Sequence, residues 1–331
     1  MKAIPIIQTS ILIVLLYSSI PFGQSEKASR LHTPDEIFKI MEESELSYVF
    51  GEDTISARED DSPTVLINQF FLRDSSGKTT LDKYDFPKYA LLLVQGDKEF
   101  ANKNFDGALK YYHQLYATQP EYSFALTMIG DAFYSRGDID SAIIYFRRAI
   151  DMNFIDYSAH WFLADSYDKI GLFDSALKEI TIAHLLNVNH AVLKSKFKEY
   201  RESANRPWQE WDFKPHYHLS KDGYRVLINT SPEWVGYAMV KAVWKYEPDY
   251  AKKVDSAEPD SLLVNWSEEK EAVTALLADS TKNLRIREII TDGYFIEFIL
   301  YELAGKKWPT VLLILPRDQF RRIYEYVEKY H

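Results

Sequence analysis

No cysteine occurs anywhere in this chain of 331 residues. That removes disulfides, cysteine-borne lipids and thiolate ligands for a metal. No run of lysine and arginine appears either, and the net charge is −10. A nucleic-acid partner is therefore excluded, because affinity for a phosphate backbone comes mainly from neutralising it with Lys and Arg. No glycine-rich phosphate loop, GxSxG elbow or HExxH helix can be found, and no Ser-His-Asp set can be assembled with any specificity. Long apolar runs are missing too. The longest near the start, residues 11–17 (ILIVLLY), falls far short of the ~20 residues that span a bilayer. What the chain does have is a hydrophobic fraction of 46%, enough for a sizeable core, and 23 tyrosines.

The short apolar run follows Lys2 and precedes small or turn-prone residues 18–25, the pattern of an export signal. Residues 1–25 are accordingly expected to be a signal peptide cut near Gly23 to Ser25. The mature protein is then periplasmic or secreted, with no stable membrane span. Residues 26–87 form an N-terminal segment with a linker. Within it, Thr33-Pro34 starts a helix carrying Ile37, Ile40 and Met41, and residues 47–50 read as a short strand or an extended lead-out. Residues 51–63 are acidic and linker-like, residues 65–72 (VLINQFFL) are an apolar run of undecided type, and residues 74–78 are a turn.

A period of 34 residues dominates the middle of the chain. It relates Gly96, Gly130 and Ala164, then Ala108, Ala142 and Ala176, then Tyr112, Phe146 and Ile180, and finally Asp106, Asp140 and Asp174. One supersecondary unit has been copied and stacked. The second copy is clearest, with Leu126, Ile129-Gly130, Phe133, Ala142, Phe146 and Ala149. The third has His160, Leu163-Ala164, Tyr167, Gly171, Ala176, Ile180 and Ala183, and the first keeps Gln95-Gly96, Glu99, Ala108, Tyr112 and Pro120. These residues resemble the tetratricopeptide repeat over about a third of the chain. The resemblance implies paired helices A and B in each unit. The small residues sit where A crosses B, the large residue fills the groove, and Gly137 and Gly171 end helix A. Asp106, Asp140 and Asp174 are expected to cap helix B.

The fold class read from this is mainly α: a short tetratricopeptide-like helical-hairpin solenoid over residues 88–204, including a capping helix with Leu193, Phe197 and Tyr200. A small α+β C-terminal domain occupies residues 205–331. In that domain an Asp-Gly hairpin spans residues 217–229, and helices are expected from Ser231 to Lys245 and from Ser267 to Ala278. Residues 311–315 (VLLIL) read as a buried strand, and Asp318 opens a last helix.

In such an array the ligand lies along the concave face of the A helices. The resemblance maps that face to Leu93, Asp97, Phe100, Phe124, Thr127, Asp131, Tyr134, Trp161, Asp165, Asp168 and Lys169. Asp97, Asp131 and Asp165 form an acidic ladder among aromatics. Some members of the family clamp a peptide's terminal carboxylate with Lys, Arg and Asn here. Acidic residues dominate in this chain, so a basic or neutral protein segment is the better electrostatic match, although a charge row can equally be a solvated face.

Elsewhere His216 and His218, with Asp212, could begin a zinc site but lack a further ligand, so neither metal nor cofactor is expected. Six of the seven Trp lie in the last part, where they read as core or as an aromatic platform for sugars. Asn229-Thr230-Ser231 and Asn265-Trp266-Ser267 fit the glycosylation triplet. The functional expectation is a non-enzymatic interaction scaffold of the cell envelope or exterior. The alternatives are an enzyme with its site in residues 205–331 and the repeats recruiting substrate, or a glycan-binding module.

Overall fold

Thr33 opens the first helix with a reciprocal cap: its hydroxyl accepts from the Glu36 N–H, and the Glu36 carboxylate accepts from the Thr33 N–H at 2.8 Å. Such a capping box satisfies two donors that a helix start otherwise leaves bare, and it opens helix α1 (Pro34–Glu43). The computed structural model describes residues 31–51, 72–73, 79–80, 90–209, 211, 213–251, 266–278, 283–307 and 309–331. The export signal, the linker, the turn at 74–78, most of the 65–72 run, Asp212 and Trp308 lie outside the described residues. So do Asn265 and the Trp266 side chain.

Strand β1 (Ser47–Gly51) comes next, then the two-residue ladder of β2 (Leu72–Arg73) and β3 (Thr79–Thr80). The array consists of three antiparallel hairpins. They are α2 (Ala90–Ala101) with α3 (Phe105–Thr118), α4 (Ser123–Arg136) with α5 (Ile139–Met152), and α6 (Tyr157–Lys169) with α7 (Phe173–Leu186). Gly130 shows why the repeat needs a small residue: a Cβ there would lie 2.6 Å from the Phe146 ring. Gly96 meets the Tyr112 ring in the same way. In the third unit Ala164 replaces glycine and Ile180 replaces the ring, both fully buried. Small and large therefore trade against each other so that each groove stays filled.

The A–B turns share one backbone solution. Gly137 (φ 91°) and Gly171 (φ 78°) are left-handed, and Lys103, 34 residues before Gly137, adopts φ 60° without being glycine. Helix B starts differently from the expectation. The caps are Asn104, accepting from the Gly107 N–H at 3.2 Å, and Asp138, accepting from the Ser141 N–H at 3.1 Å. Asp106, Asp140 and Asp174 sit inside the first turn, where a carboxylate meets the helix dipole but does not reach back to cap it.

Helix α8 (Ala191–Ser203) closes the array with Leu193, Phe197 and Tyr200 buried. Beyond it, β4 (Tyr217–Asp222) and β5 (Arg225–Thr230) form an antiparallel hairpin turned at Gly223, with φ 56°. β1 pairs in parallel with β5, Ser47 opposite Arg225 through Gly51 opposite Asn229, so the sheet order is β1-β5-β4. A 3₁₀ turn (Pro232–Trp234) leads into α9 (Val235–Tyr246), then α10 (Trp266–Leu276) and α11 (Leu284–Thr291). Short α12 (Phe295–Phe298) runs into a π-helical turn (Ile299–Gly305). The run expected as a strand is helix α13 (Thr310–Ile314), and α14 (Arg317–Tyr330) ends the chain. Residues 311–313 are buried as expected. A lone apolar run bracketed by prolines has no sheet edge to join, and a helix satisfies its backbone within itself.

Residues 32–48 pack against the C-terminal region. Buried Glu271 accepts from the Trp244 indole N–H at 2.6 Å and the Tyr250 hydroxyl at 3.0 Å, and it also binds the backbone N–H of His32. Tyr48 of β1 donates to Glu247 at 2.8 Å. The C-terminal region in turn covers α7, so that every residue from 180 to 188 is buried. Asn189 donates to the Lys306 carbonyl at 2.8 Å, Arg201 pairs with Glu328 at 2.9 Å, and the Phe154 and Phe320 rings meet edge-on at 5.4 Å.

Candidate partner-binding face

Helices α2, α4, α6 and α8 bring one continuous row of polar and aromatic side chains together. Tyr112 donates its hydroxyl to Asp97 at 2.8 Å, and its phenol pKa is raised by burial, by that bond and by the charges of Asp97 and Asp131. Asp131 in turn feels Asp165. Burial pushes the Asp131 carboxyl up to about 6, the Asp165 charge adds to this, and the Ser135 hydroxyl offsets part of it. Asp165 is also raised, chiefly by burial, although Tyr200 donates to it at 2.6 Å and the Lys196 ammonium stands 3.9 Å away. Tyr134 lies among them, its phenol raised by burial and then by Asp165, Asp168 and Asp131.

The three aspartates spaced 34 apart are thus not equivalent. The outer two already accept hydrogen bonds from the chain's own phenols. Asp131 has only the Ser135 hydroxyl, and among the described residues no lysine or arginine pairs with it. Like charges facing one another in a partly buried site raise carboxyl pKa values by mutual repulsion added to desolvation.

The remaining residues mapped from sequence divide by burial. Asp97, Asp168 and Lys169 are exposed, and Tyr134 and Trp161 are half-buried. Trp161 packs its ring against Phe162 at 5.6 Å and His190 at 6.0 Å. Leu93 and Phe100 border the core around Tyr112 and Leu126, and Phe124 borders that around Leu115. Thr127 is fully buried and donates to Asp156 at 2.8 Å, which removes it from any surface a guest could touch. Sequence reasoning missed Tyr200 and Lys196. They lie on the helix taken as a cap, and their 3–4 residue spacing on one helical side was the available signal.

Other candidates resolve into structure. Trp208 stacks on His331 at 4.4 Å with the Arg201 guanidinium near its ring, and Trp211 stacks on Phe298 at 5.6 Å under Arg285. Both rings are partly buried and packed against the core. His216 is exposed and its carbonyl accepts from Thr230, while His218 is half-buried on β4. Among the described residues no group of three His, Asp or Glu is placed to hold a metal ion. No helix among them is long and apolar enough to cross a membrane.

The tetratricopeptide repeat family model matches residues 93–153 and 127–181. No curated protein matches the chain by sequence. Among solved structures, the Sgt2 tetratricopeptide domain from Aspergillus fumigatus is similar at 18% identity, covering 39% of this chain and 91% of that one, with a TM-score of 0.34. The Yersinia enterocolitica type III secretion chaperone SycD, in complex with a peptide of the translocator YopD, is similar at 15% identity, over 38% of this chain and 97% of that one, also at 0.34. The TPR2B domain of yeast Sti1 is similar at 18%, over 36% and 97%, again at 0.34. With the period, the crossing glycines and the stacked hairpins, the family match makes residues 93–181 tetratricopeptide repeats.

Proposed function

We propose that this chain is a non-enzymatic interaction scaffold whose array holds an extended, basic or neutral segment of a partner protein along the row formed by α2, α4, α6 and α8. One observation carries the reading. Asp131 sits between two aspartates engaged by Tyr112 and Tyr200, half-buried and without a cation of its own among the described residues. A carboxylate in that state is costly, and a lysine or arginine side chain of a guest would relieve it. Stacked helical hairpins leave an extended inner surface open to such a guest.

The test is crosslinking in intact cells, with identification of the captured protein, repeated with Asp131→Lys. The same pair is then titrated with extended peptides of positive, zero and negative net charge. Loss of capture and of the positive peptide supports the reading, and unchanged capture by the charge-reversed protein sinks it. Truncating the chain after α8 is a poor alternative, because α7 would lose the cover that buries residues 180–188.

Export belongs to the same proposal and rests on Lys2 and the short apolar run. Cell fractionation with N-terminal sequencing checks it; a cytoplasmic protein retaining Met1 would overturn it. The enzyme alternative is less well supported, because the buried carboxylates of the C-terminal region serve as anchors. Glu271 holds Trp244 and Tyr250, Glu297 holds Gln319 and Arg322, and Glu302 holds His331, Tyr326 and Lys306.

A further inference from the structure

Each B helix of the array carries an outer line of residues four apart, and the three lines meet different fates. On α3 the line is polar: Lys110, Gln114 and Thr118. On α7 it is Lys178, Ile182 and Leu186. Helices α13 and α14 pack against α7, and Ile182 and Leu186 are only 7% and 0% exposed. On α5 the same places hold Ile144, Arg148 and Met152. There Ile144 is 57% exposed and Met152 37%. Phe154, two residues past Met152, meets Phe320 of α14 edge-on and lies under the Arg317 guanidinium at 5.4 Å. The exposed line of α5 therefore borders an interface that the chain itself already fills over α7.

The surroundings of that line are basic. By the repeat period Lys110 and Lys178 stand level with Ile144 on the neighbouring B helices, and both are exposed. The Arg148 guanidinium lies 5.2 Å from the ring centre of Tyr145 and 5.7 Å from that of Tyr116 on α3. Tyr145 is itself braced, stacked on Phe133 at 5.3 Å and met edge-on by His113 at 5.7 Å. Arg147 donates to the Tyr167 hydroxyl through two nitrogens, at 2.9 and 2.7 Å. Rings and phenols fix these guanidinium groups without neutralising them. The acidic residues of α5, Asp140 and Asp151, stand near its two ends. Among the described residues no carboxylate pairs with Lys110, Arg147, Arg148 or Lys178. Such a group of cations around an exposed isoleucine runs against the chain's net charge of −10.

We propose that the outer face of α3 and α5 docks an amphipathic helix of another protein, with its apolar stripe on Ile144 and Met152 and its flanking Asp and Glu on Lys110, Arg148 and Lys178. Two observations point to that occupant. One repeat further on, the same line is covered by helices, and α14 is amphipathic, burying Phe320, Ile323 and Val327 while Arg321 and Glu325 stay exposed. Charge then decides the flanks, because cations already held in place favour carboxylates at little further cost in ordering. A helix laid along such a surface is read by its apolar anchors and by the charges at its rim. The face is separate from the row of α2, α4, α6 and α8, so the inference stands whether or not that row holds a guest.

A photocrosslinking residue in place of Ile144 tests it in intact cells, with the attached peptide sequenced. A segment of another protein with apolar residues three and four apart and an excess of Asp and Glu supports the proposal. A segment of this chain would assign the face to a second copy, and no attached protein would leave it a solvated surface; either result overturns the proposal. In solution the probe is a synthetic amphipathic helix of about 20 residues with an Ile-Phe stripe and Glu flanks, titrated against the full chain beside a twin with Lys flanks. The Glu form should bind at least about tenfold tighter than the Lys form, and Arg148→Glu and Ile144→Asp should each weaken it by about tenfold. Both side chains are exposed, so circular dichroism of the variants should match the wild type. Equal binding of the two helices, or binding that neither variant changes, overturns the docking face.

Discussion

Tyr200 on α8 donates its hydroxyl to Asp165 on α6 at 2.6 Å, across 35 residues of sequence. The bond joins the closing helix to the third repeat and occupies the last carboxylate of the row. Tyr200→Phe should lower stability by about 1–3 kcal/mol, as expected for losing a hydrogen bond to a charged group. Urea unfolding at neutral pH measures it, and an unchanged midpoint would show that α8 is held by its apolar stripe alone.

Asp131 supplies a prediction of opposite sign. Its carboxyl titrates near 3.8 when unfolded and is pushed up to about 6 by burial and by Asp165. The unfolded chain therefore loses this proton first, and stability falls as pH rises from about 4 to about 6. Asp131→Asn removes the penalty. The variant should be more stable than wild type at pH 8 by on the order of 2 kcal/mol, with the difference vanishing below pH 4. Thermal melts across that range check both ends, and the same variant should bind a basic guest less well.

Acid should weaken the protein through His184, which burial pushes from 6.5 down to about 3. The unfolded chain takes up a proton below 6.5 while the folded one stays neutral. The stability contributed is complete above that pH and is lost on acidification by up to about 1.4 kcal/mol per unit. His184→Gln, which keeps a partner for Tyr301, should flatten the acid limb of a stability–pH curve. An unaltered limb would assign acid lability elsewhere.

Gly130→Ala should cost about 1–3 kcal/mol, since its methyl would overlap the Phe146 ring. The third repeat shows the remedy, because Ala164 and Ile180 occupy the equivalent positions. Adding Phe146→Ile to Gly130→Ala should recover part of the loss, and a double-mutant cycle in denaturant measures the coupling.

Lys103 holds φ 60° where the next two turns use glycine. Left-handed backbone costs a residue with a Cβ about 1–2 kcal/mol, so Lys103→Gly should stabilise the first hairpin. Local hydrogen exchange in α2 and α3 is the appropriate measurement, and faster exchange would contradict the argument.

Much of the candidate face could be read from spacing, because a repeat places equivalent residues on equivalent surfaces whatever surrounds them. The charge of Asp165 reaches Asp131, and the charges of Asp97 and Asp131 both reach Tyr112. Their inequality could not be read, because it depends on phenols arriving from other helices: Tyr112 from α3 and Tyr200 from α8. Thr127 was misplaced for a related reason. Its period puts it beside Asp131 on the same helix, but Asp156 approaches from the next repeat and draws the hydroxyl inward.

Local chemistry determined from sequence alone what neighbouring residues settle among themselves: the hairpin period, the left-handed glycines, the helix start at Thr33-Pro34 and the Asp-Gly hairpin. Contacts between residues far apart in the chain were decided only on folding. They include the parallel pairing of β1 with β5, the helical state of the 311–315 run, and the stack of Trp208 on His331. Backbone dihedrals and caps are fixed within a few residues, so spacing reveals them. Burial of a charge or an apolar run depends on which distant surface covers it, and nothing in the local order of residues names that surface.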